Sequence, residues 1–379
     1  MIYFDNAATT YPKPDVVKEA IFWALDTLGN PGRSGHMAAL EGARIVEQTR
    51  QALARLFGSD HPECFAFGYN ATDALNTAIR ATALPDSKVI TTVLEHNSVL
   101  RPLHALARTR RLSVVHVPPG ADGVVTARAI DRQITRDTSL VVVNHVSNVT
   151  GAVQPVAEIA QDCARRGVPI LVDAAQSAGT QHIDLSSMPI DMMAFPGHKG
   201  LLGPQGTGAL YVRPGMEIAP LKFGGTGSHS FDLQHPPEMP DRLEAGTANA
   251  HGLAGLLAGV LYIQSVGVDA IRRRETLLVN RLIKGLVNIP GCIIYSPANP
   301  MLRSGVLAFN IGQVDSIEIG QALADRGIAV RAGIHCAPLL HRYIGTQKQG
   351  AVRVSFSVFN QEEEVESFLR ELNDIVRDL

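Results

Sequence analysis

Lysine and cysteine are both scarce in this 379-residue chain, and the few that occur narrow the chemistry open to it. Lys13, Lys18, Lys88, Lys199, Lys222, Lys284 and Lys348 are the only lysines, and 34 basic against 36 acidic residues leave a formal net charge of −2. That balance lacks the basic footprint of a nucleic-acid or anionic-membrane binder, so neither partner is expected. The four cysteines, Cys64, Cys163, Cys292 and Cys336, form no CxxC pair and no metal-ligand spacing. No metal site is therefore expected, and free thiols in a reducing compartment are the simplest account. Long apolar runs are missing as well. The most apolar window, Leu253 to Ile263, is short and holds two glycines, which suits a buried helix and not a membrane span. The opening Met-Ile-Tyr-Phe-Asp has no basic region followed by an apolar core, so a cytoplasmic location is expected.

What is present is an alternation of apolar, strand-length runs with longer stretches of helical period, the pattern of an α/β fold with a mostly parallel central sheet. Strands are expected at Lys88–Thr92, Ser113–Val117, Leu140–Val143, Ile170–Val172, Met192–Phe195 and Ala209–Val212. Helices are expected around Ala38–Phe57, Asp73–Ala83, Val99–Thr109, Val156–Arg166 and Gly252–Ser265. After about residue 265 the texture becomes that of a smaller α+β domain, with helices at Ile271–Val287 and Ser316–Arg326, strands at Gly305–Ile311 and Ala351–Ser357, and a charged last helix. The expected division is a large domain over 15–264 and a small domain made of 1–14 and 265–379.

Lys199 lies in the glycine-bounded segment Gly197-His198-Lys199-Gly200, just after an apolar strand, and Asp173 ends the run Ile170-Leu-Val-Asp173. A lysine amine and a carboxylate in this setting suit pyridoxal 5′-phosphate (PLP), whose aldehyde needs an amine and whose pyridine nitrogen needs an acid partner to stay protonated. Thr72 precedes a helix, where free backbone N–H groups suit a phosphate, although Thr72 or Asp73 also reads as a plain helix cap. His96 follows a strand and suits stacking on a ring. The glycine run Gly203 to Gly208 lacks the Gly-Lys-Ser/Thr of a nucleotide loop and is followed by a strand, so no nucleotide site is expected there.

Together Asp5-Asn6-Ala7-Ala8-Thr9-Thr10, Glu95-His96, His145-Val-Ser-Asn148, Asp173-Ala-Ala-Gln176, Gly197-His198-Lys199, Glu244-Ala-Gly-Thr247, Arg331-Ala-Gly-Ile-His-Cys336 and Arg353-Val-Ser-Phe resemble the cysteine desulfurase and selenocysteine lyase family of class V aminotransferases. The resemblance implies a fold type I PLP enzyme that works as a homodimer. Lys199 would be the Schiff-base lysine, Asp173 the partner of the pyridine nitrogen, Gln176 a donor to the ring hydroxyl and His96 the stacking residue. Ala71, Thr72 and His198 would hold the phosphate, with Thr247 reaching in from the neighbouring subunit. Asn148 and Arg353 would bind the substrate carboxylate, with Ala8, His36 and Arg331 completing the substrate set.

Cys336 sets the reaction implied: L-cysteine becomes L-alanine, and the sulfur passes to Cys336 as a persulfide for delivery to an acceptor protein. His335, His341 and Arg331 give the thiol an expected cationic setting that favours the thiolate. Seventeen positions separate Cys336 from Arg353, similar to the short-loop group of desulfurases. A selenocysteine lyase acting on L-selenocysteine would use every residue named, and a class V aminotransferase would share Lys199 and Asp173 without needing Cys336. The chain departs from the family pattern at Pro196, where a phosphate-binding serine is common, at Ala71, where the family often has a second threonine, and at Ile334, where a histidine is frequent.

Overall fold

The computed structural model describes residues 1–31 and 34–378. A short strand β1 (Ile2–Tyr3) precedes the strands of the central sheet: β2 (Phe65–Gly68), β3 (Lys88–Thr92), β4 (Ser113–Val117), β5 (Thr138–Asn144), β6 (Ile170–Asp173), β7 (Met192–Pro196) and β8 (Gly208–Val212). Their order across the sheet is β2-β8-β7-β6-β5-β3-β4, and every neighbouring pair is parallel except the two made by β8. Residues 197–207 join β7 to β8 without a helix. A parallel return needs a crossover of a dozen or more residues, so β8 comes back antiparallel and the sheet is mixed.

Helices cover both faces of this sheet. Leu140 and Val142 pack with Leu75 and Leu103 on one side, whereas Val141 and Val143 pack with Leu53, Ile159 and Leu256 on the other. A strand covered on both faces has no solvent side to make polar, which is why the central strands read as unbroken apolar runs.

The second sheet has four antiparallel strands from β9 (Cys292–Ile294), β10 (Val306–Ile311), β12 (Arg331–Gly333) and β13 (Ala351–Ser355), in the order β12-β13-β10-β9. Helices Val268–Leu286, Ser316–Asp325 and Glu362–Asp378 close its core through Leu278, Leu323 and Phe368. The amino terminus joins this core: β1 pairs in parallel with β11 (Ile328–Ala329), and Phe4, fully buried, meets the rings of Phe356 and Phe368. No single helix among the described residues is long and apolar enough to cross a membrane.

Candidate active site

The carboxyl ends of the parallel strands meet at one cleft, the place where open α/β sheets bind ligands. Asp173 ends β6, Asn144 ends β5 and Pro196 ends β7; all three line the cleft, as do Lys199, His198, Gln176, Asn148, His96, Ser98, Ala71 and Thr72. The turn that carries Lys199 is clamped by the amino-terminal segment. Thr10 Oγ1 donates to the Lys199 carbonyl at 2.8 Å, and Thr9 Oγ1 and Lys13 Nζ donate to the His198 carbonyl at 3.1 and 2.7 Å. Gly200 lets the turn pack closely on the Ala178 backbone, because a Cβ there would lie 2.4 Å from the Ala178 carbonyl oxygen.

The electrostatics follow from enclosure. Burial brings the Lys199 amine down to about 8, against the attraction of Asp173, so near neutral pH part of it is an unprotonated nucleophile and base. Burial also raises Asp173 above the ordinary carboxylate range, while the Ala175 N–H on its Oδ1 and the charge of Lys199 act the other way. His96 is held at about 4, first by burial and then by Lys199, Arg331 and Arg353. Its Nδ1 accepts the Ser98 N–H at 3.0 Å, so the neutral ring carries its proton on Nε2. A neutral ring can stack on a cofactor without adding a positive charge to the cleft.

These residues fit PLP on observations independent of any motif. Asn70, and not Thr72 or Asp73, caps the helix Ala71–Thr82: its Oδ1 accepts the Asp73 N–H, and the Ala71 and Thr72 N–H groups have no acceptor among the described residues. Two free N–H groups at a helix start are a cradle for a phosphate. Buried His198 Nδ1 and Asn148 Oδ1 also lack partners, as polar atoms awaiting a ligand do. Ser98 was not anticipated from sequence. Its hydroxyl lies 2.7 Å from Thr72 Oγ1 and 2.9 Å from His96 Nδ1, and it brings to the cleft a hydroxyl of the kind missing at Ala71 and Pro196.

Arg353 is 2% exposed. It donates through one terminal nitrogen to the Asn148 carbonyl at 3.0 Å and through the other to Asp5 Oδ1 at 2.7 Å, leaving Nε unpaired. Asp5, to which sequence reasoning gave no role, therefore supplies the counter-charge that a buried guanidinium requires. Arg331 sits opposite Arg353 in the β12–β13 ladder.

Cys336 lies beyond β12 on a turn in which both His335 and Cys336 adopt positive φ, 51° and 58°. The turn is fastened to the cleft walls: the Asn97 N–H donates to the Cys336 carbonyl at 2.7 Å, and Asn148 Nδ2 donates to the His335 carbonyl at 2.8 Å. The expected cationic histidines are corrected by their burial, which depresses His335 to about 2 and His341 to about 4. Both are neutral links in a chain. His335 Nε2 donates to the Arg331 carbonyl at 3.2 Å, its Nδ1 faces His341 Nε2 at 3.4 Å, and His341 Nδ1 meets Thr346 Oγ1 at 2.8 Å. Burial also lifts the Cys64 and Cys292 thiols to about 11 and Cys163 to about 12, which suppresses their thiolates.

Six anticipated residues are not among those lining the Lys199 cleft of their own chain: Arg331, Arg353 and Cys336, which are described above, and Thr247, His36 and Ala8. Thr247 is exposed and borders a different cavity with Tyr69, Lys222 and Glu244. His36 is exposed and caps the helix Met37–Leu56, its Nδ1 accepting the Ala39 N–H. Ala8 donates its N–H to the Asp5 carbonyl, while its neighbour Ala7 accepts from Gln176 Nε2 at 3.0 Å. Behind Lys199 a second chamber is lined by Asn6, Thr10, Gln176, Thr180, Ser304 and Glu275. Glu275 is 5% exposed, its carboxyl group has no hydrogen-bond partner among the described residues, and burial lifts it from 4.5 to about 8.

A nucleophilic lysine and a buried aspartate facing one cleft, with a phosphate cradle at a helix start, define an α/β enzyme of the PLP-holding kind. The chain belongs to the aminotransferase class-V family, whose model matches residues 2–368 and whose cofactor is PLP. A cysteine desulfurase from Serratia proteamaculans is 30% identical over 385 residues, covering 99% of this chain and 93% of that one. Among solved structures, the apo structure of a cysteine desulfurase from Thermococcus onnurineus superposes with a TM-score of 0.94 at 34% identity, over 100% of this chain and 95% of the other. A cysteine desulfurase from Escherichia coli gives 0.89 at 27% identity, with the same coverage.

Proposed function

We propose that this protein is a cysteine desulfurase that converts L-cysteine to L-alanine and takes the sulfur onto Cys336. The observation that carries the reading is the Cys336 turn, which hydrogen bonds join directly to the residue after His96 and to Asn148. A transaminase would have no use for a thiol held there. The full-length likeness to desulfurases supports the same reading.

Each residue has a task. Bound PLP supplies an electron sink for the bonds at the substrate Cα. Asp173 would keep the pyridine nitrogen protonated, His96 would stack on the ring, Gln176 would donate to the ring hydroxyl, and Ala71, Thr72, His198 and Ser98 would hold the phosphate. Arg353 and Asn148 grip the substrate carboxylate, with Arg331 adding positive charge beside them. Lys199, whose amine would hold the cofactor aldehyde, would also serve as the base for the substrate Cα proton, its pKa being brought down to about 8. The Cys336 thiolate attacks the substrate sulfur, the carbon–sulfur bond breaks, and its electron pair stays with the three-carbon fragment that is protonated to alanine. The products are alanine and a Cys336 persulfide, so atoms balance without an added oxidant.

The same reading makes the protein a cytoplasmic homodimer that passes sulfur to an acceptor protein. Thr247, exposed on one subunit, completes the cleft of the other, His36 belongs to the substrate set, and the chain divides into 15–264 and 1–14 with 265–379. Cys336→Ala is the test. Alanine formation from L-cysteine is expected to vanish while the cofactor stays bound; L-selenocysteine, with the weaker carbon–chalcogen bond and better leaving group, keeps part of its turnover. Undiminished cysteine turnover removes Cys336 from the reaction.

A further inference from the structure

The helix Val268–Leu286 carries two kinds of arginine. Arg274 and Arg281 are matched by acids: they pair with Glu362, and Arg281 also with Glu366. Arg272 and Arg273 are not, for neither side chain makes a hydrogen bond or ion pair with any described residue. Both border a cavity of about 330 Å³ between that helix and the Pro300–Arg303 turn. A third guanidinium, Arg303, closes the cavity at 8% exposure. Its partners are the Pro297 and Ala298 carbonyls and Asn280 Oδ1, all neutral, so its charge is also unmatched. Gln181 forms another part of the wall; it is 5% exposed, and its amide nitrogen has no acceptor. Unmatched positive charge thus converges on one cavity, whose wall includes the residue with the orphaned buried amide, and no acidic side chain lines it.

We infer that this cavity is a binding site for a small phosphorylated or polycarboxylate molecule. Its size falls in the range of small-molecule sites. Paired guanidiniums recognise forked oxyanions, and a buried amide donor adds a directional bond that diffuse attraction lacks. The overall net charge of −2 argues against a general polyanion surface and for a local site. The site also abuts the catalytic region: Gln181 and Arg303 each follow or precede in sequence a residue, Thr180 and Ser304, that lines the chamber behind Lys199. A ligand here therefore contacts the outer side of segments whose inner side faces that chamber. The inference does not depend on which reaction the cleft performs.

Titration calorimetry on the cofactor-loaded protein tests it, since the phosphate cradle of the cleft is then filled. The probes are inorganic phosphate and citrate, with sodium chloride at matched ionic strength as the control. At least one probe is expected to bind, and whichever binds tighter tells phosphate chemistry from polycarboxylate chemistry. The Arg272→Ala/Arg273→Ala double variant and Gln181→Leu are each expected to weaken binding by about tenfold or more, the loss of one charge-assisted or buried hydrogen bond. Failure of both probes to bind beyond the chloride control overturns the inference, as does wild-type affinity in the double variant. Unchanged affinity in Gln181→Leu reduces the site to surface attraction and overturns it too. The double variant alters a partly buried and an exposed side chain outside the core, so its folding is not at risk if Gln181→Leu proves unstable.

Discussion

Replacing Glu275 with glutamine is expected to stabilise the protein, and to do so more strongly as pH rises. The Glu275 carboxyl group is enclosed without a hydrogen bond, and burial lifts it from 4.5 to about 8. In the unfolded chain it ionises near its ordinary value, whereas the folded protein keeps the proton until about 8. Between those values the folded state binds more protons than the unfolded state, so stability falls with rising pH by about 1.36 kcal/mol per unit. Glutamine has nearly the same shape and no proton to lose. The two proteins should therefore match near pH 4.5, and the variant's advantage should grow by about 2.5 kcal/mol between pH 5.5 and 7.5, a little under two units at that slope because each titration is incomplete at one end of the range. Guanidinium unfolding of both proteins across that range, followed at the transition of the smaller sheet, reads the difference. A gap that does not change with pH refutes the reasoning. So does a variant less stable than wild type at pH 7.5, which would mean that Glu275 is charged and paired in the folded protein.

Three further outcomes are expected. In cofactor-stripped protein the rate at which added PLP condenses with Lys199 should climb through about pH 8 and then level off, because the amine is depressed to about 8; stopped-flow absorbance that keeps rising to pH 10.5 would show an unperturbed lysine. Arg353→Lys keeps a charge for Asp5 but cannot also reach the Asn148 carbonyl, so KM for L-cysteine should rise about tenfold with cofactor content unchanged, the cost of one charge-assisted hydrogen bond; an unaltered KM removes Arg353 from carboxylate binding. Thr247 lies outside its own chain's cleft, so cofactor loss and subunit dissociation should coincide when light scattering and absorbance are followed on dilution; a monomer that keeps all its cofactor contradicts the shared site.

The parts of the fold legible in sequence are those where one physical force dominates. Strands β3 and β4 and the helix Val156–Arg166 fall where the apolar pattern places them, because a strand or helix packed on a sheet has little freedom in which residues face inward. Strand β2 was not legible: Phe65-Ala-Phe-Gly68 is four residues long at the sheet edge, and its pairing with β8 is a tertiary choice that no local pattern records. The same holds for β1 and β11, two residues each. In the cleft, Lys199, Asp173, His96 and Asn148 were readable from motifs. Asp5 and Ser98 were not, since their roles come from contacts with Arg353 and Thr72, 348 and 26 positions away. The charge state of His335 was misjudged for a related reason. Sequence shows which cations are neighbours, and only packing shows that burial has discharged them.

The junction of Asp5 with Arg353, of Asn6 with the Ser355 carbonyl, and of β1 with β11 ties each early residue to a partner made 326 to 349 positions later. On the ribosome, at 5–20 residues per second, the amino-terminal segment waits on the order of 20 to 70 s for those partners to emerge. The central sheet is complete by Val212 and can form in that interval, together with the clamp that residues 9 to 13 place on its lysine turn, whereas the contact of Asp5 with Arg353 must wait. The nascent chain thus has a time order built into it. A product stalled before Cys336 carries the lysine and the aspartate without the thiol or the arginine, and so, on the proposed mechanism, has no group to take up sulfur.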